Sequence, residues 1–309
     1  MSDKKTPLDE RSILLLRQKE KRTGMDTTEI ILTAIALPLF AISIALEWWY
    51  WQRQGIEKFR TRDSLANYAL VLMQQTLGII GKALFILTAL EWVRQHGPLI
   101  APAAWWSVAL CFVGVDFGYY WFHRASHRVR FLWAIHVTHH SSELMNFTTA
   151  LRQPPLEPWV DWLFFIALAW LGYAPKLILT LYAINLMYQF FIHTEVVYKL
   201  PKWIELIFNT PSHHRVHHGT NSEYIDMNYA GVLIIWDRLF GTFVEEQAPV
   251  KYGILHPVHS DNPLYLAFHL WADIFRDVLK PFPLRVRLQH IFAPPGWPDE
   301  YRLQMHKNL

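Results

Sequence analysis

Long apolar runs alternate with short polar, histidine-bearing segments along this chain, and the alternation predicts membrane helices. The run from Thr27 to about Trp51 is long enough to span a bilayer, ends in an aromatic belt and carries Pro38 near its middle. A second covers roughly Leu65 to Val93, with Gln74, Gln75 and Lys82 inside it and Gly78 and Gly81 as breaks. A third, about Leu99 to Phe122, leads straight to His123. The fourth and fifth, about Leu156 to Leu171 and Pro175 to Ile192, are separated only by Gly172, Tyr173 and Ala174 and read as a helical hairpin. The predicted fold is all-α: a polytopic membrane protein with about four or five transmembrane helices and a cytosolic, histidine-rich helical catalytic region.

The same pattern divides the chain into a solvated tail over residues 1–26, amino-terminal membrane helices over 27–98, a catalytic domain with its own membrane helices over 99–280, and a carboxy-terminal tail over 281–309. Within the catalytic part, the aromatic, amphipathic stretch from Leu264 to Leu279 is a candidate for the interface plane of the membrane. If the third run leaves the membrane on one side, the hairpin crosses and returns, so His193 emerges on the side that holds the earlier histidines. Arg124, Arg128, Arg130, Arg152, Lys199, Lys202, Arg215, Arg238 and Lys251 lie on that side, which the positive-inside rule makes cytoplasmic. Counting back through three crossings would put the basic tail of residues 1–26 outside, a conflict removed if the run around Pro38 is re-entrant.

Composition agrees with a membrane protein: 52% of residues are hydrophobic, 15% aromatic and only 18% charged. The formal charge of +3 suits basic loops against anionic headgroups. No basic patch with stacking aromatics points to nucleic acid. Cys111 is the single cysteine, sits in an apolar run, and is expected to pack rather than react.

Histidine is the chemically informative residue. His123 and His127 are spaced i, i+4, while His136, His139 and His140 are spaced i, i+3, i+4, and that cassette recurs as His214, His217 and His218 with His213 beside it. On helices such spacings place imidazoles together on one face. A catalytic metal takes three or four protein ligands, so this many histidines imply two ions, and imidazole suits iron, zinc, copper or nickel.

Two polar stripes run toward these groups. Asp116, Tyr120, His123 and His127 form one line on the third run, and Tyr182, Asn185, Gln189 and His193 form another on the fifth. A carboxylate in an apolar span costs about 2.5–3.5 kcal/mol at its centre, so Asp116 is expected to serve as the acceptor that orients a metal-bound imidazole. His193, ending its stripe, joins the metal-ligand candidates. Glu143, Asp226, Asn228 and Asp237 follow the cassettes and are further acceptor or ligand candidates. His96, His256, His259, His290 and His306 have no partner spacing and read as surface or loop residues.

The order H-x-x-x-H, H-x-x-H-H, H-x-x-H-H between apolar spans resembles the fatty acid hydroxylase and sterol desaturase superfamily of membrane di-iron enzymes. The words DFGYYWFHR from Asp116, LWAIHVTHHSSE from Leu132, TTALRQ from Thr148, YQFFIHTE from Tyr188, NTPSHHRVHHG from Asn209 and NYAGVLIIWDRLFGTF from Asn228 are similar to its alkylglycerol monooxygenase-like branch. The resemblance implies that His123, His127, His136, His139, His140, His214, His217 and His218 are iron ligands, with His193 a further one and His213 beside them. It implies oxygen-dependent hydroxylation of a lipid C–H bond, either ether cleavage as in that branch or hydroxylation of a fatty acyl or sterol-like lipid. The reductant would be tetrahydrobiopterin or a cytochrome b5- or ferredoxin-type electron-transfer protein, and the setting a bacterial inner membrane or endoplasmic reticulum. Where that branch carries Glu after the second histidine of the first box, this chain carries Arg128. Two other readings compete: a zinc-dependent membrane lipid hydrolase using Glu143 or Glu195 as base, and a metal transporter, although transporter sites lie near the midplane.

Overall fold

The computed structural model of the protein describes residues 27–297. The tail over residues 1–26 and the end of the chain with His306 lie outside the described residues. Among the described residues there is no strand, only an isolated bridge between Phe208 and Leu233, as the all-α reading expects.

The chain parts into two units, residues 1–41 and 42–309, and helix α1 (Thr27–Arg53) runs across the boundary. This helix is continuous through Pro38. A proline deletes one N–H from the ladder, which an apolar helix tolerates without breaking. The run around Pro38 is therefore one uninterrupted element, not a re-entrant pair. Helix α2 (Thr61–His96) contains a π-turn at Lys82–Ile86, directly after the expected breaks at Gly78 and Gly81. Helix α3 (Trp105–Arg128) starts later than Leu99 and carries on past Phe122, so His123 and His127 are helical. Val129, in extended geometry, ends it, and α4 (Arg130–His140) begins at once.

The fourth apolar run departs from expectation. In place of a membrane-length helix, Glu157–Trp159 and Asp161–Phe165 form 3-10 turns, followed by the five-residue α5 (Ile166–Trp170). Pro154, Pro155 and Pro158 remove the N–H groups an α-helix would need there. The segment packs on α3 at Gly118, where a Cβ would lie 2.9 Å from the Phe164 carbonyl oxygen, so glycine permits the close approach. Gly172, at φ +93°, turns the chain into α6 (Pro175–Ile192). By length and composition three described helices can cross a membrane: Ile31–Arg53, Thr61–His96 and Pro175–Ile192. That is fewer than the four or five expected. The polar stripe of α3 and the proline-broken fourth run account for the difference.

Short helices α7 (Lys202–Ile207), α8 (Pro211–His217) and α9 (Ile235–Leu239) follow, then α10 (Pro263–Leu279) and α11 (Leu284–Phe292). The main apolar core joins α2, α3, the 3-10 segment and α6 through Leu90, Cys111, Val115, Phe165 and Ile178. Cys111 is fully buried there, as a packing residue. Several cations counted for orientation are interior. Arg130 pairs with Asp277 (2.9 Å), Arg152 with Asp63 (3.2 Å) and Arg215 with Glu246 (2.7 Å), so they weigh little as loop charges.

Candidate metal centre

The turn at Val129 folds α4 back along the end of α3, and α8 closes the third side. His123, His127, His136, His140 and His217 come together with one ligating nitrogen each, all within 4.8 Å of one another. His139, His193, His214 and His218 form a second group by the same measure, and all nine rings are buried. Each H-x-x-H-H cassette is split. On α4 the i, i+4 pair His136 and His140 faces the five-histidine group and His139 faces the other. On α8 and its cap the pair His214 and His218 faces the four-histidine group and His217 the other. A step of three residues turns a helix by about −60° and a step of four by about +40°, so the middle histidine looks aside.

Four of the outer nitrogens are tied to backbone carbonyls, while Nδ1 of His214 is buried without a partner. Nδ1 of His123 donates to the Tyr229 carbonyl (2.8 Å), that of His139 to Arg152 (3.2 Å), that of His193 to Gln189 (2.7 Å) and that of His217 to Met227 (3.0 Å). Nδ1 of His136 faces the Glu157 carboxylate at 3.4 Å, and that of His127 lies 3.5 Å from Asp226. A proton committed to Nδ1 leaves the Nε2 lone pair pointing inward.

These inward nitrogens test whether metal ions fit. Nε2 of His139 and His193 lie 3.2 Å apart, yet each ring already donates from Nδ1 to a carbonyl, so two lone pairs face each other. Burial pushes His193 down to about 4 and His136 and His217 down to about 3, so a second proton is no remedy. Nε2 of His123, His127 and His136 are buried with no hydrogen-bond partner. A cation shared among the lone pairs satisfies all of these atoms, and imidazole donors suit a transition metal.

The stripes on α3 and α6 act through relays. Asp116, expected beside a histidine, accepts instead from Asn185 (2.7 Å), the Val232 and Leu233 amides (2.8 and 3.0 Å) and the Trp236 indole (2.9 Å). Asn185 accepts from Gln189, whose carbonyl holds His193, so Asp116 reaches that ring two side chains removed. Asp237 takes the Tyr229 and Ala230 amides, both at 2.8 Å, and so fixes the carbonyl that holds His123. Asp226 and Asn228 adopt left-handed backbone at φ +61° and +56°, a geometry Asp and Asn tolerate. This turn brings Asp226 to His127 and Arg128, the latter at 3.4 Å, while Asn228 binds the His213 and Val244 carbonyls.

Other candidates lie apart. His213 belongs to neither group: it packs on Phe243 and its Nε2 is 3.9 Å from Glu205. Glu143 pairs with Arg60 at 3.2 Å and Glu195 with Lys58 at 2.5 Å. Both carboxylates that would serve a hydrolase as base are thus engaged by cations. His290, read as a surface residue, is buried beside Asp277 and stacks on Phe282.

Residues the spacing did not flag matter too. Arg152 binds Asp63 and Asn67 of α2 and the Thr138 carbonyl of α4, and so ties the His139 acceptor to the start of a membrane helix. Glu157 was hidden inside a run that read as a span. Glu157→Ala is expected to weaken metal retention at the five-histidine group about 10- to 100-fold, measured by competition with a chelator.

Fold and site together define a class: an all-α membrane protein with nine buried imidazoles arranged as two adjacent groups, each able to hold a metal ion. Residues 108–242 match the family model for fatty acid hydroxylase. The chain is 38% identical to human alkylglycerol monooxygenase over 306 residues, covering 96% of this chain and 67% of that one. It is 46% identical to the Xenopus tropicalis alkylglycerol monooxygenase over 213 residues, 69% of this chain and 47% of the relative. It is 32% identical to an ornithine lipid hydroxylase of Rhizobium tropici over 172 residues, 54% of this chain and 50% of the relative. The chain therefore spans two-thirds of the human relative's length and about half that of the other two. No solved structure matches it. The chain belongs to the fatty acid hydroxylase family, in its alkylglycerol monooxygenase-like branch, which makes it an oxidoreductase of the lipid monooxygenase class.

Proposed function

We propose that the protein is a membrane di-iron monooxygenase that hydroxylates a lipid at a carbon beside an ether oxygen. The observation that carries this reading is the pair of adjacent all-imidazole groups, one of which includes His193 at the end of the membrane-length helix α6. Two irons held there would supply reductive activation of dioxygen, with one oxygen atom entering the C–H bond and the other leaving as water at the cost of two electrons and two protons. Hydroxylation at that carbon gives a hemiacetal, which collapses to a fatty aldehyde and a glycerol derivative.

The ligands in this reading are His123, His127, His136, His140 and His217 for one ion and His139, His193, His214 and His218 for the other. Glu157, Asp226 and the carbonyls of Tyr229, Arg152, Gln189 and Met227 hold the rings in register, and burial excludes water from the inward nitrogens. The cluster faces the cytoplasm, where tetrahydrobiopterin or a cytochrome b5- or ferredoxin-type carrier supplies electrons. Arg128, held by Asp226 and half-exposed, stands at the position where the branch carries an acid, beside His127, and is the natural contact for a donor with negative charge.

The test uses purified protein in nanodiscs with an alkylglycerol, a reductant and ¹⁸O₂. The expected product is a fatty aldehyde, trapped by borohydride as the alcohol, that carries the label. Unlabelled product with one zinc per chain would replace this reading by the hydrolase.

A further inference from the structure

Helix α10 is apolar on two opposite sides. One side is buried: Leu266 and Ala267 pack against Ala66 and Leu70, in the first turns of the membrane-crossing helix α2. The other side is exposed. Leu264, Phe268, Phe275 and Leu279 fall within one narrow sector of the helix, and Phe275 and Leu279 are 62% and 79% accessible. Helix α11 repeats the arrangement with Leu284, Leu288 and Phe292, spaced by four, and Leu284 is 72% accessible. At 17 and 9 residues neither helix is among those long enough to cross a bilayer.

We propose that α10 and α11 form an in-plane membrane contact, seated in the headgroup–acyl boundary of the leaflet next to the metal centre and selective for anionic lipid. Three observations select a lipid surface over a second copy of the chain. The buried side of α10 is fixed to α2 close to where α2 begins, so the exposed side lies at the level where that helix meets lipid. On α2 itself Leu65 and Leu72, in the same turns, are also exposed. The charge pattern is the third: residues 263–292 carry Arg276, Lys280, Arg285 and Arg287 against Asp273 and Asp277; Arg276 pairs with Asp273 and Lys280 with Asp277, so Arg285 and Arg287 carry the net positive charge. Basic side chains flanking an apolar stripe place their heads among anionic phosphates while their stems lie on the apolar surface.

The contact reaches the metal helix directly. Thr138 donates to the Leu266 carbonyl (3.0 Å), and Arg130 binds Asp277 (2.9 Å) and the His290 carbonyl (3.0 Å). The Arg130 amide also donates to Ala293 (3.0 Å). Whatever depth α10 takes, α4 and its three histidines take with it. The inference does not depend on which metal or which lipid the centre uses.

Nitroxide labels at Phe275→Cys and Leu288→Cys, in a Cys111→Ser background, test it by power saturation in phosphatidylcholine nanodiscs with and without phosphatidylglycerol. A label at Glu223→Cys, an exposed loop site, serves as the aqueous control. Should Cys111→Ser fail to fold, the native Cys111 is fully buried and can be kept. The expected result is relaxation by oxygen with protection from the nickel chelate at 275 and 288, the reverse at 223, and deeper values when phosphatidylglycerol is present. Nickel access at 275 and 288 would overturn the contact. Protection from both reagents would overturn it in favour of a protein–protein interface, and equal depth in both lipid compositions would overturn the anionic selectivity.

Discussion

Replacing His217 with alanine is expected to abolish oxygen incorporation, by at least about 100-fold, and to strip the five-histidine group of its metal. His217 is the only member of that group that does not come from the α3–α4 corner. It also reaches both sides of the pocket: its ring stands 4.3 Å from that of His123, and its Nε2 is 3.2 Å from Nε2 of His140. Removing it leaves four rings from two adjoining helices with nothing to close the third side. Metal analysis of the purified variant is the direct check, with His213→Ala as the neighbouring control that keeps full metal content. A His217→Ala protein with two metals per chain would remove this residue from the ligand set.

The second large effect is on folding. Asp116→Ala is expected to cost at least about 3 kcal/mol, because it leaves the Val232 and Leu233 amides, the Trp236 indole and the Asn185 amide without their acceptor in a buried site. The space beside it is already full: a Cβ on Gly231 would meet Asn185 at 2.7 Å and Asp116 at 3.0 Å, so the loop cannot collapse inward to compensate. Thermal unfolding in detergent should show a large fall in midpoint. Asp116→Asn should recover part of it, since one oxygen still accepts while its new amide faces donors. An Asp116→Ala protein as stable as the parent would show that the loop carrying Tyr229 is anchored elsewhere.

The convergence of the histidines was legible because imidazole spacing is periodic and helices convert period into direction. The stripes on α3 and α6 were legible for the same reason, although their hydrogen bonds run between stripes and loops and not straight to the metal rings. What spacing did not show was which group each ring would join, which depends on how α4 and α8 are rotated against each other. Glu157 was missed because its neighbours are apolar, and only the prolines at 154, 155 and 158 signalled that the segment is no span. Arg152 was counted as a loop charge. Its burial rests on Asp63 and Asn67, 89 and 85 residues earlier, a pairing that no local pattern carries.

The reciprocal division of the two cassettes has a mechanical consequence. Each nest borrows from the same pair of short helices, two rings here against one there, so no substitution that tilts either helix can be confined to a single group. A change that loosens the rings of one group therefore loosens those of the other.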